Sequence, residues 1–165
     1  MKKIQLFIFF LVIPSLLQAQ NPVLVSDIAT GSSSSPSDFV LLDNKIFFAA
    51  SVWNGGIEDR ELYSSDGTAS GTQLFLDLWP NGSSSPDKLI VYDYHIYFIV
   101  ADSSAGNIVY RPWVSDGTTW GTFPLLQNPV TPDGYTMQID PFVSPDKIFT
   151  YYKGFVYFCA KKDNA

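Results

Sequence analysis

The sequence predicts an all-β protein, β-propeller-like, with repeats of about 50 residues, four strands per repeat and an incomplete set of repeats. Three observations predict it. One phrase occurs twice, as ELYSSDGTASGT at 61–72 and RPWVSDGTTWGT at 111–122. Markers outside the phrase keep its spacing: Pro36 and Pro86, Phe48 and Phe98, Asp27 and Asp77 each lie 50 residues apart, as do Asp66 and Asp116. The second strand of each repeat is apolar at consecutive positions, in IFFAA, IYFIVA and FVYFCA. A sheet with one wet face alternates apolar and polar residues, whereas a continuous run needs both faces covered. Sheets stacked around an axis meet that need. A β-sandwich is the alternative; it explains the strands but not the constant spacing.

The first residues stand outside this pattern. Lys2 and Lys3 precede an apolar run from Leu6 to Ile13, which resumes at Leu16 and ends in SLLQAQ. This is the build of a secretory signal peptide over residues 1–20, with cleavage near Ala19 or Gln20. The run is shorter than the roughly 18 apolar residues of a membrane span. It contains no cysteine, which argues against a lipid anchor. Residues 21–165 then form the repeat region, about two full repeats and part of a third.

Each repeat opens with a short strand, SDFVLL or DKLIVY, then a turn, DN or DY, then the apolar strand KIFFAAS or HIYFIVAD. Polar loops are expected next, VWNGGIEDR in one repeat and SSAGNIVY in the other. ELYSS, the Asp-Gly turn and TQLFLDL complete four strands. The third repeat begins as SPDKIFTYYKGFVYFCA, matching SPDKLIVYDYHIYFIVA. Its offset is about ten residues longer, through an insertion in QNPVTPDGYTMQIDPF.

The recurring loop reads first as architecture. Asp-Gly between strands is a hairpin signal, since glycine accepts positive φ and aspartate bonds to nearby backbone N–H groups. Ser65 and Thr68 can add hydroxyl bonds, and Gly71 and Gly121 give a second flexible point before the next strand. One acid per turn falls short of the several alternating acids of a calcium loop. Asp66, Gly67, Thr68, Gly71 and Thr72, with Asp116, Gly117, Thr118, Gly121 and Thr122, are therefore read as structural turn residues. No metal or cofactor is expected, and the single histidine, His95, excludes a site of several histidine ligands within one chain.

The two phrases resemble the ELWxxDGT repeat of secreted bacterial proteins. Glu61-Leu62, Asp66-Gly67-Thr68 and Gly71-Thr72 match, with Tyr63 in the tryptophan position. The second copy keeps Trp113, Asp116-Gly117-Thr118 and Gly121-Thr122 but has Arg111-Pro112 in place of Glu-Leu. The resemblance covers most of residues 21–165. It implies an exported propeller-like protein of Bacteroidetes-type bacteria, often large, commonly with a C-terminal sorting domain for type IX secretion. It implies no defined catalytic activity. Pro112 lacks an N–H and is expected at the start of its strand or on an edge.

The charge balance excludes one class of partner. The chain has 10 Lys+Arg and 16 Asp+Glu. Loss of Lys2 and Lys3 with the leader takes the net charge from −6 to −8. Nucleic-acid binding needs the opposite. With Cys159 alone, no intrachain disulfide is available, so an exported chain must rely on its core. Cys159, inside VYFCAK, reads as a small buried hydrophobe.

Candidate site residues are few. Trp53, Trp79, Trp113 and Trp120 can pack between sheets or stack on sugars; Trp113 and Trp120 flank the repeated loop and are the better binding candidates. His95 reads as a strand-end packing residue. GSSSSP and NGSSSP read as solvated connections, and Asn81-Gly82-Ser83 as a glycosylation sequon relevant only to a eukaryotic secretory path. Sialidase propellers carry similar Asp turns but hold their substrate with three arginines; this chain has only Arg60 and Arg111. Glu58, Asp59 and Glu61 cluster in what reads as one polar loop, without the facing pair of a glycosidase.

The expected function is a non-catalytic secreted or cell-surface module that binds a glycan or protein partner or acts as scaffold. The alternative is a fragment of a carbohydrate-active propeller enzyme whose catalytic residues lie elsewhere. Propellers close with about 4–8 repeats. This chain is therefore expected to be a piece of a longer protein or to self-associate through its open faces.

Overall fold

The computed structural model describes residues 23–80, 82–102, 108–125, 137–139 and 148–162. The expected signal peptide at 1–20 lies outside the described residues, as do Asn81, most of the SSAGNIVY loop and most of the insertion.

The protein is all-β. β1 (Ser37–Leu42), β2 (Lys45–Asn54), β3 (Ile57–Ser65) and β4 (Gln73–Leu76) form an antiparallel sheet in sequence order. β5 (Asp87–Tyr92), β6 (His95–Asp102), β7 (Val109–Ser115) and β8 (Thr122–Pro124) repeat it. Then come β9 (Met137–Ile139), β10 (Phe149–Tyr152), β11 (Phe155–Phe158) and β12 (Ala160–Lys162), with β10 paired to β11 and β9 to β12.

The sequence repeat extends to backbone angles. Ser35 and Ser85 have φ of 40° and 43°, Asp38 and Lys88 57° and 59°, and Gly67 and Gly117 88° and 86°. Positive φ is uncommon outside glycine, so matched pairs mark one backbone path used twice. Asp38 and Lys88 sit where the β1–β2 and β5–β6 registers shift, as a β-bulge requires. The two bulges also touch, since the Lys88 N–H donates to Asp38 Oδ1 at 3.0 Å.

The apolar runs divide between two faces. On β2, Phe47 joins a core with Leu42, Leu62, Leu89, Ile96, Phe98 and Val100, which lies between the two four-stranded sheets. Phe48 and Ala50 point the other way, into a small cluster with Tyr63 that Ile28 covers. On β6, Ile96, Phe98 and Val100 face the first sheet, while Ile99 packs with Ile148 and Phe149 of the third repeat. The middle sheet is therefore buried on both faces, which is what its unbroken apolar sequence requires.

Four expectations are corrected. VWNGGIEDR is no loop: β2 runs to Asn54, β3 starts at Ile57, and Gly55-Gly56 turn between them at φ of 61° and 87°. Positive φ at both turn residues is the two-residue hairpin geometry, and polar strand residues had disguised it. Cys159 is exposed, because the third hairpin packs on one side only among the described residues. Its β11 accordingly alternates exposed and half-buried residues instead of being covered on both faces. Pro112 lies inside β7, paired with Ile99, on a strand with neighbours on both sides. Its carbonyl accepts from the Leu125 N–H just past the end of β8, so the donor it lacks points where β8 has already run out.

Candidate functional site

The site nearest to the sequence expectations is the pair of Ser-Asp-Gly-Thr loops. In the first, Asp66 Oδ1 accepts from the Thr68 N–H at 2.9 Å and the Thr68 hydroxyl at 2.7 Å. The Gly71 N–H donates to Thr68 Oγ1 at 2.9 Å, and Thr72 Oγ1 donates to the Thr68 carbonyl at 2.7 Å. Ser65 closes the base, taking the Gly67 N–H at 3.0 Å and bonding Thr72 Oγ1 at 2.6 Å. The second loop repeats every one of these bonds through Ser115, Asp116, Gly117, Thr118, Gly121 and Thr122. Both carboxylates are held below the usual aspartate range, first by the threonine hydroxyl and then by the threonine N–H.

Gly71 and Gly121 do something other than provide a flexible point. A Cβ on Gly71 would stand 2.0 Å from Asp66 Oδ1, and one on Gly121 2.1 Å from the Asp116 carboxylate. Neither has the positive φ that favours glycine. These glycines make room for the aspartate. We expect Gly121→Ala to expel the Asp116 carboxylate and lose its bonds to Thr118, destabilising the fold by about 1–3 kcal/mol. Thermal denaturation reads the loss; an unchanged midpoint would show that the carboxylate has another place to go.

Glu61 is the group that sequence reasoning missed. It lies on β3, not in a loop, and is 2% exposed. Its Oε1 accepts from the Ser84 N–H at 2.7 Å, and its Oε2 from the Leu78 N–H at 2.9 Å and the Ser84 hydroxyl at 2.5 Å. The Glu of the repeated phrase thus fastens the connection that leads to the next repeat. Beside it, the Arg60 N–H donates to Ser83 Oγ at 3.1 Å, and the Ser85 N–H to the Arg60 carbonyl at 3.0 Å. NGSSSP is therefore sewn to β3, and Ser84 is fully buried rather than solvated. The signal was present in the spacing, since each Ser-rich stretch precedes the first strand of a repeat. Burial raises the Glu61 pKa to about 7, against the pull of the Ser84 and Leu78 donors.

The Arg60 guanidinium is spent on its own sheet, donating to the Ser35 carbonyl at 2.9 Å and Ser37 Oγ at 2.8 Å. Ser51 Oγ donates to Glu58 Oε1 at 2.6 Å across the β2–β3 hairpin. Asp59 is raised by desolvation and by the nearby Asp77. Among the described residues no group of three or more His, Cys, Asp or Glu is placed to hold a metal ion.

The tryptophan candidates separate. Trp113 is half-buried on β7, its ring 6.3 Å from that of Phe98 and packed on the central core. Trp120 stands at the tip of the second loop, 96% exposed. His95 opens β6, its Nδ1–H donating to the Asp93 carbonyl at 2.7 Å, with its ring against Tyr97. The two repeats also meet at the loop: a cavity of about 260 Å³ lies between the β1–β2 turn and the second loop, lined by Leu42, Asp43, Lys45, Phe47, Asp116 and Thr118. No helix among the described residues is long and apolar enough to cross a membrane.

Set against models of known protein families, curated proteins and solved structures, the chain has no significant match.

Proposed function

We propose that this chain is a non-catalytic repeat module of ELWxxDGT type, propeller-like in architecture, exported by its N-terminal signal peptide and presented outside the cell or on its surface. There it serves as scaffold or binds a glycan or protein partner. The observation that supports this reading best is how the charged groups of the repeated phrase are used. Asp66 and Asp116 are turned onto their own loops, and Glu61 onto the next connection. A carboxylate with three donors in a buried connection is built to hold backbone in place. The propeller-like reading draws support from closely matching backbone angles at positions 50 residues apart and from successive sheets packing face to face.

Aromatic side chains are among the groups left facing outward. Trp120, at 96% exposure on a loop fixed by six internal bonds, presents an indole face at little ordering cost. Of the two candidates it carries the binding role, and Trp113 the packing role. Affinity electrophoresis of the purified protein through gels containing soluble polysaccharides tests this, alongside release of reducing sugar. The expected outcome is retardation by at least one polysaccharide, abolished in Trp120→Ala, with no sugar released. Turnover of any polysaccharide, or retardation unaffected by Trp120→Ala, would sink the reading.

A further inference from the structure

Each repeat has two unlike faces, and the repeats stack in a fixed order. A leading face carries Ile46 and Phe48 in the first repeat, Ile96 and Phe98 in the second, and Val156 and Phe158 in the third. A trailing face carries Leu42 and Phe47, then Tyr92 and Tyr97, then Tyr152 and Tyr157. At the first junction Leu42 and Phe47 meet Ile96 and Phe98. At the second, Tyr92 and Tyr97 meet Val156 and Phe158. Trailing meets leading both times.

Two faces of these kinds are left open among the described residues. On the leading face of the first sheet, Phe39 and Ile46 are 60% and 41% exposed, whereas their counterparts Leu89 and Ile96 are 7% and 0%. A cavity of about 320 Å³ opens there, lined by Leu24, Ile28, Phe39, Ile46 and Phe48. On the trailing face of the third repeat, Tyr152 and Tyr157 are 58% and 54% exposed. They share that face with Thr150 and Phe155, their partners across the β10–β11 ladder.

We propose that these two faces are made for each other, and that a second copy of this chain docks its Tyr152/Tyr157 face on the Phe39/Ile46 face of the first, head to tail. The occupant is named by the internal junctions, where the same leading face already receives the same trailing face. The flank is in place as well. Residues 23–28, VLVSDI, hold the register of 73–78, QLFLDL, and Ile28 packs beside Phe48 as Leu78 packs beside the first junction. Such a contact is heterologous, so it propagates into rings or filaments rather than stopping at a symmetric dimer.

The inference rests on the repeat-module reading but not on its ligand. The full coding sequence is expressed in an exporting bacterial host, and the product is examined by sedimentation velocity across about 1–100 µM. The wild type is expected to grow in mass with concentration. Ile46→Lys and Tyr157→Lys should each weaken association about 100-fold or more, because each buries a lysine in an apolar contact. Mixed together, the two variants should form a heterodimer and nothing larger, since each retains the face that the other has lost. Both positions are partly exposed, and circular dichroism checks their folding; Phe39→Lys and Tyr152→Lys replace either variant that misfolds. A wild type that stays monomeric, an association that survives Ile46→Lys, or a mixture that stays monomeric would each overturn the proposal. Sugar release would overturn the non-catalytic part of that reading and leave the repeat architecture, and this inference, standing.

Discussion

Replacing Glu61 by alanine is expected to cost about 3–5 kcal/mol, an outsized loss for one polar side chain. The reason is what remains behind. The Leu78 N–H and the Ser84 N–H lose their acceptor, the Ser84 hydroxyl keeps only a long contact of 3.4 Å to the Arg60 carbonyl, and Ser84 is fully buried. An unmet buried donor costs about 1–3 kcal/mol, and water entering the space recovers only part of that. Glutamine is not a remedy. Its amide nitrogen has no lone pair to offer, so one of the two backbone N–H groups must face another donor. We expect Glu61→Gln to cost about 1–3 kcal/mol. Urea unfolding measures both, and amide exchange at Leu78 and Ser84 locates the damage; unchanged protection there in Glu61→Ala would refute the fastening role.

The same residue imposes a pH dependence with a defined sign. Its pKa is about 7 in the folded protein, raised from an ordinary 4.5, chiefly by burial. Between those values the folded state holds a proton that the unfolded state has released. Its contribution to stability is therefore complete below about pH 4.5 and fades as the pH rises through about 7. The span corresponds to about 3 kcal/mol. Subtracting the Glu61→Gln profile from that of the wild type isolates this contribution. A difference that is flat from pH 4.5 to 8, or one that grows with pH, would contradict the assignment.

Local patterns were legible in the sequence; partnerships across the fold were not. β1, β5 and β6 have the bounds that SDFVLL, DKLIVY and HIYFIVAD suggest, because each apolar run is cut by an Asp-led turn. The loop hydroxyls of Ser65 and Thr68 were legible for the same reason, since their partners lie within seven residues. Glu61 was not, because its acceptor role depends on Ser84, 23 positions away. VWNGGIEDR was misread because Ser51 and Glu58 satisfy each other across the hairpin, so their polarity carried no sign of a loop. Cys159 went wrong through its surroundings: an apolar run describes a strand that wants two neighbours, and the third hairpin has one among the described residues.

Phe98→Ala is expected to have the second large effect, a loss of about 3–5 kcal/mol. Phe98 is fully buried, and it reaches from the middle sheet into the junction with Leu42, Phe47 and Leu62 of the first. Repeat folds derive their stability from intrinsic repeat terms and from interfaces between neighbours. Phe98 belongs to both, since its ring also lies against Trp113 of its own sheet. Removing it leaves a cavity that two stiff sheets cannot collapse to fill, and it weakens the coupling that makes them melt together. The unfolding transition should therefore move to lower urea and also broaden, with a smaller apparent slope. Phe158 holds the same place in the third repeat but is only half-buried, on a hairpin with one covered face. Phe158→Ala is accordingly expected to lose less than half as much. Measured at concentrations low enough to keep the chain monomeric, equal losses at the two positions would mean that the third repeat is as firmly enclosed as the second.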